Sequence, residues 1–434
     1  MYLNKNQSQM DRTLRENEFD AIVVGSGTCG ATIARELSKK RKKVLILERG
    51  TNVTLKESAL GIASIADEVA VGNNMKAMRA ITTGGSTSLY FAVASLPPLD
   101  SFKSLGIDLS DELKQVQQEL PIATLPDDLL SAQSMRLRES ALALGYAWKK
   151  NLMMIDQSKC TGGYCYDAKW KAKSYVQEAL KGGAKLINRA TVRKVLVNHN
   201  TAVGVEYTLQ KALGRTETCR AYGTKIIVAA GSFASSKILR ATGIKDIGNR
   251  GFYCDPAFAM FGTVPGLKGN DGFLGSMSTD YEDDISLGDG NMARTLYQML
   301  MLSNLNFRLL FSFPGTIGVG VKLKDAMQGQ LHENDRYRKQ LSPDELKKLK
   351  KGEDAATRIL RNAGAKYLFK GRLVGGNPGG VIRIQEHINE ILETKYRNLH
   401  VCDASVLPEN IRVTPALTLI CLGKYLAKQL LSYL

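Results

Sequence analysis

The stretch Asp20-Ala21-Ile22-Val23-Val24-Gly25-Ser26-Gly27-Thr28-Cys29-Gly30 decides the fold. A short run of buried-strand type enters a glycine turn, and Ala31 to Lys40 then has the apolar spacing of a helix. A second apolar run, Val44 to Leu47, ends at Glu48. Each glycine in this strand–turn–helix–strand unit has its own task. Gly25 permits the tight turn, Gly27 lets the backbone approach a pyrophosphate, and Gly30 allows the helix to pack closely on the strand. The helix N-terminus offers N–H groups and the positive end of its dipole to phosphates. Glu48 lies 23 residues beyond Gly25, where a ribose-binding acid is expected. The unit reads as a dinucleotide site and by itself leaves FAD and NAD open. Cys29 reads as a small residue that fits the turn.

Working outward, the chain has 434 residues, room for two or three domains or for one large α/β unit with insertions. A hydrophobic share of 44% and a charged share of 23% exclude wholesale disorder, and the 40 glycines follow no collagen period. Seven cysteines, an odd number, read as reduced thiols of an intracellular protein. Met1 to Asp20 is polar, without the apolar centre of a signal peptide. The most hydrophobic region, Thr295 to Val321, is broken by Asn304, Asn306, Arg308 and Pro314. It reads as a buried or surface-docking segment, not a transmembrane one. A soluble, cytoplasmic chain is expected. The formal net charge is +17. Its lysines fall in scattered runs such as Lys39 to Lys43 and Lys347 to Lys351, without interleaved aromatics, so no nucleic-acid partner is expected. Solvated helix faces explain the runs, with attraction to an anionic substrate, an acidic electron-acceptor protein or a membrane surface as the other reading.

Three further segments carry a resemblance. Thr82-Thr83-Gly84-Gly85-Ser86-Thr87 resembles the glycine–serine loop that lies against the flavin in the glucose–methanol–choline (GMC) oxidoreductase family. Gly231-Ser232-Phe233-Ala234-Ser235-Ser236-Lys237-Ile238-Leu239-Arg240-Ala241-Thr242-Gly243-Ile244 is similar to the family's second signature. Asn398-Leu399-His400-Val401-Cys402-Asp403-Ala404-Ser405-Val406-Leu407-Pro408, followed by Thr414-Pro415-Ala416-Leu417-Thr418, resembles its C-terminal segment. The residues themselves agree with this order. Lys225 to Ala230 is an apolar strand running into Gly231 and a helix, and Val192 to Val197 with Ala202 to Tyr207 reads as a hairpin around His199-Asn200.

The resemblance implies an α/β fold: an FAD-binding, Rossmann-like, doubly wound domain with a smaller α+β substrate domain. Residues 1–94, 186–251 and 386–434 are expected to form the first, and 95–185 with 252–385 the second. It also implies that FAD is held by Gly25, Gly27, Thr28, Gly30, Glu48, Arg49, Gly84, Gly85, Ser86, Val192, Ala230, Gly231, Asp403, Ala404, Thr414 and Pro415. Leu89 stands where some members attach flavin through His, so the cofactor is expected to be non-covalent.

The reacting end departs from the family. Gly376-Asn377-Pro378-Gly379-Gly380 puts Asn377 where the resemblance expects the His base, and the second catalytic position falls on Thr414. Neither side chain titrates near pH 7, so neither is a general base. Tyr90, Cys254, Asp255, Glu386 and His387 are the other acids and bases near the implied pocket. Cys160 and Cys165 are spaced unlike a zinc or iron–sulfur site, with a dithiol couple left open, and Glu282-Asp283-Asp284 lacks the pattern of a calcium loop. The expected function is hydride transfer between flavin and a small organic or lipid-like substrate at CH–OH or C=C. A non-catalytic or electron-transfer FAD subunit of a complex is the alternative.

Overall fold

The computed structural model describes residues 18–434, apart from 283, 333–335 and 412–413. Asp283 and most of the polar N-terminal stretch therefore lie outside the described residues. Strand β1 (Phe19–Val24) and strand β2 (Val44–Leu47) pair in parallel, with helix α1 (Thr28–Lys39) crossing between them. Ala21 to Val24 and all of β2 are buried, as expected for parallel strands covered on both faces.

These strands sit in a seven-stranded sheet in the order Lys185–Ile187, β2, β1, Thr216–Val228, Thr201–Gln210, Ala190–Asn198, with Leu399–Val401 also paired to Thr216–Val228. The strand Thr216–Val228 does two jobs. Its first half pairs antiparallel with Thr201–Gln210, and its second half runs parallel to β1 and Leu399–Val401. The hairpin read around His199-Asn200 is present, with both turn residues at positive φ (44° and 66°).

A nine-stranded, mostly antiparallel sheet forms the second layer system. The helix Pro343–Asn362 packs on it, started by a reciprocal cap between Ser342 and Glu345. The chain crosses the expected domain boundaries twice. Strands Ala66–Gly72 and Met75–Ala80, assigned to the first unit, hydrogen-bond into the second sheet through Gly375. Conversely, helices Ser110–Glu119 and Lys173–Lys181, assigned to the second unit, are tied to α1. Arg35 bonds Glu119 at 2.9 Å and Glu178 at 2.6 Å, and Lys424 of the C-terminal helix Ala416–Leu431 bonds Glu119 at 2.6 Å. Backbone pairing and a charge cluster around the buried Arg35 and Lys424, neither visible in a linear pattern, set these allegiances.

Candidate active site

Three helix starts converge on one cleft of about 290 Å³. At the first, Gly25 has φ of 100°, and a Cβ there would stand 2.4 Å from the Ala229 carbonyl oxygen. A Cβ on Gly30 would stand 2.1 Å from the Gly25 carbonyl oxygen, so both glycines are demanded by packing. Gly27 differs: a Cβ there would meet nothing within 4 Å. It faces open cleft, as a residue that lets a ligand approach backbone should.

The α1 start has no side-chain cap and no acid in its first turn. The same holds for the helix Ser232–Thr242 behind Gly231 and for the C-terminal helix behind Pro415. Helices usually satisfy their first N–H groups with a Ser, Thr, Asp or Asn side chain. Here these starts line a shared cleft and leave their N–H groups and dipole ends for an anionic or electron-rich guest. That is a direct fit for an FAD pyrophosphate and flavin ring.

Two carboxylates hold the turns in place. Glu48 is buried, and it accepts from the Ser26 backbone (3.0 Å), the Ser26 hydroxyl (2.6 Å) and the Gly50 backbone (2.6 Å). Ser26 Oγ in turn accepts from Gly84 N at 3.1 Å, which locks the second glycine loop to the first. Gly84 (φ 92°) and Gly85 (φ 57°) make that loop, and a Cβ on Gly85 would come within 3.0 Å of Gly27 Cα. Asp403 accepts from Gly231 N at 2.9 Å, from the Ser235 hydroxyl and from Ser405 N at 2.8 Å. Burial pushes its carboxyl upward against the pull of these hydrogen bonds.

The cleft brings together Gly25, Gly27, Thr28, Glu48, Arg49, Gly85, Ser86, Val192, Ala230, Gly231, Asp403, Ala404, Thr414, Pro415 and Asn377. Gly30 and Gly84 stand behind its wall as packing residues. Cys29 lines it too, but its thiol donates to the Leu419 carbonyl (3.2 Å), and burial holds its pKa well above the usual thiol range.

In the cleft lining, Asn377 Nδ2 donates to Asp255 Oδ2 at 2.9 Å, and Lys322 Nζ sits 3.2 Å from the same oxygen. Asp255 is 1% exposed and strained, with φ of 45°. Thr414 donates to the Val93 carbonyl at 3.0 Å. Tyr90 lines the wall and donates to the Trp170 carbonyl, and burial raises its pKa. Among the described residues no histidine lines the cleft. His387 accepts from Arg383 N (2.9 Å), Glu386 pairs with Arg250 and Arg383, and Cys254 is fully buried, so the structure gathers none of these three at the cleft.

Arg79 was not singled out by sequence. It lines the cleft beside Arg49, and both guanidiniums share Asp67, at 2.7 and 3.3 Å. Burial and then the Arg49 charge lower its pKa. Its strand, Met75–Ala80, gives no local hint, because only the fold carries it to the cofactor cleft. All seven cysteines are free thiols, and the described residues hold no cluster of three or more metal-ligating side chains.

A family model described as GMC oxidoreductase matches residues 19–251. An uncharacterised protein of Methanocaldococcus jannaschii is 25% identical over 427 residues, covering 95% of this chain and 100% of that one. An uncharacterised GMC-type oxidoreductase of Mycobacterium tuberculosis is 27% identical over 257 residues, 52% of this chain but 39% of that longer relative. The solved structure of a pyridoxine 4-oxidase from Mesorbium loti superposes with a TM-score of 0.72 at 14% identity, covering 95% of this chain and 99% of that one. The match over more than half of the sequence joins the geometry of the cleft: the chain belongs to the GMC oxidoreductase family, and it is an oxidoreductase whose cofactor is FAD.

Proposed function

We propose that this oxidoreductase moves hydride between FAD and a small organic or lipid-like substrate without a side-chain base at the family's catalytic pair. The observation that carries the reading is the lining of the cleft. Uncapped helix starts line the cleft, and Asn377 and Thr414 line it with them. When bound, FAD accepts hydride from C–H or delivers it to C=C.

The chain's own residues divide the work. The N–H groups at Gly27 and Thr28 would hold the pyrophosphate, Glu48 the ribose, Val192 the adenine, and Asp403 the ribityl chain. Thr414 and Pro415 lead into the C-terminal helix, whose dipole end favours negative charge on a reduced ring. Asp255 takes the Asn377 amide N–H, which holds the amide in one orientation. The Thr414 hydroxyl donates its hydrogen bond to the Val93 carbonyl, which leaves its oxygen as an acceptor. Together they orient a substrate hydroxyl or enol, and its proton exchanges with water.

Leu89, at the covalent anchor position, supports a cofactor held without a bond, so acid precipitation releases intact flavin. Simple primary alcohols should bleach the anaerobic flavin slowly. A positioned base contributes about 10²–10⁴-fold, so Asn377→His should accelerate bleaching by a measurable part of that range. Rapid bleaching of the wild type by a primary alcohol would overturn the reading. A flavin unmoved by alcohols and enones, yet reduced by an acidic partner protein, would establish the electron-transfer alternative. Reduced thiols fit a cytoplasmic setting for either reading.

A further inference from the structure

We propose that the segment from Arg294 to Ser312 seats the enzyme on an anionic membrane surface, without crossing it. The segment already has an inner face. Tyr297, Met301, Leu309 and Phe313 are buried with Phe261 and Met292 in a small core separate from the main one. Its outer face is also apolar: Leu302 is 47% exposed, Leu305 68%, Phe307 64% and Phe311 83%. Folding does not require these four, because the inner set supplies the packing. Single exposed apolar residues are ordinary, but four within ten consecutive residues mark a surface that meets something apolar.

Basic residues outnumber acidic ones around this tip, where Asp271 accepts from Arg294 N and Glu353 pairs with Lys370. No Asp or Glu occurs from residue 291 to 324, nor from 355 to 385. The fold brings these two acid-free stretches together. Arg372 N donates to Asn304 Oδ1 at 3.0 Å, and the Arg308 guanidinium stacks on the exposed Tyr367 ring at 4.0 Å. Arg308, Lys366 and Arg372 are exposed around the apolar tip, on a chain of net charge +17. Apolar insertion plus basic attraction are the two signals that give stable interfacial binding to anionic lipid, and Tyr at the rim suits the headgroup level. An acidic protein would match the basic ring only if it also carried its own apolar centre to cover the four side chains. A second copy of this chain would set basic ring against basic ring.

The segment that meets the tip continues along the chain into the cleft lining. Asn377 follows Arg372 by five residues, and Met78, exposed on the neighbouring strand, lines the cleft itself. No helix among the described residues is long and apolar enough to cross a membrane, so the seat is interfacial.

The test is sedimentation of the flavin-loaded protein with vesicles of phosphatidylcholine alone or mixed with phosphatidylglycerol. Wild type should co-sediment with the phosphatidylglycerol vesicles and be released by salt. Phe307→Ser with Phe311→Ser should need about tenfold more lipid for half-binding. Arg308→Glu with Arg372→Glu should abolish the preference for phosphatidylglycerol. Both variants should keep their visible flavin absorbance, which separates this result from any failure of the cofactor reading. Wild type that ignores phosphatidylglycerol vesicles would overturn the proposal, as would a Phe double variant that binds them unchanged. A wild-type dimer that the Phe variant dissociates would overturn it in favour of self-association.

Discussion

At the scale of single residues, the glycine motif holds two kinds of glycine, and substitution should separate them. Alanine at Gly25 must adopt φ near 100° and place its Cβ 2.4 Å from the Ala229 carbonyl oxygen. Left-handed backbone alone costs about 1–2 kcal/mol, and the clash adds to it. Gly25→Ala should therefore lower unfolding stability by at least about 2 kcal/mol in a denaturant titration. Alanine at Gly27 has ordinary backbone angles and nothing within 4 Å. Gly27→Ala should keep the wild-type midpoint and lose flavin affinity by at least about tenfold, since its methyl occupies ligand space. Unchanged affinity in that variant would mean that the pyrophosphate sits elsewhere. The sequence shows Glu48 at the spacing expected of a ribose-binding acid. It does not show that Glu48 also clamps Ser26 and, through Ser26, Gly84, because that contact spans 58 residues of chain.

At the scale of elements, the C-terminal helix carries Thr414 and Pro415 only because it lies close on α1. A Cβ on Gly423 would stand 2.9 Å from Thr32 Cβ and 3.2 Å from the Cys29 carbonyl oxygen. Gly423→Val should force the helices apart, costing about 1–3 kcal/mol of stability. The same shift should move the helix start and displace the flavin absorbance maximum. A variant of lowered stability with an unmoved spectrum would disconnect that helix from the ring. The hairpin over 190–210 was legible because its alternation and its His199-Asn200 turn are local signals. The double allegiance of Thr216–Val228 was not, since which strand pairs with each half is a matter of distant partners.

At the scale of the whole molecule, acid sensitivity should report how tightly the first sheet is sealed. His400, on the short strand Leu399–Val401, is 2% exposed, and burial lowers its pKa to about 4. An unfolded histidine titrates near 6.5. Between those values the unfolded chain takes up a proton that the folded chain refuses, so stability present above pH ~6.5 is lost as pH falls toward 4. The loss from this one group is about 2 kcal/mol at pH 5. Asp325, raised to about 6 by burial, acts with the opposite sign over the same range. The measurement is therefore the difference between wild type and His400→Gln, which should lose less stability between pH 7 and pH 5. Equal slopes would show that His400 protonates freely in the folded state. The sequence by itself determined the cofactor unit: strand, glycine turn, helix and acid are contiguous, and their periodicity and φ demands are local. It also determined that Asn377 and Thr414 bring no base, because residue chemistry needs no coordinates. Only the tertiary structure decided what stands behind them. Asp255 lies 122 residues from Asn377 along the chain and 2.9 Å from it in space, and Arg79 reaches the cleft through a strand of the second sheet. Contacts of that kind depend on how layers stack, and no pattern along the chain encodes the stacking.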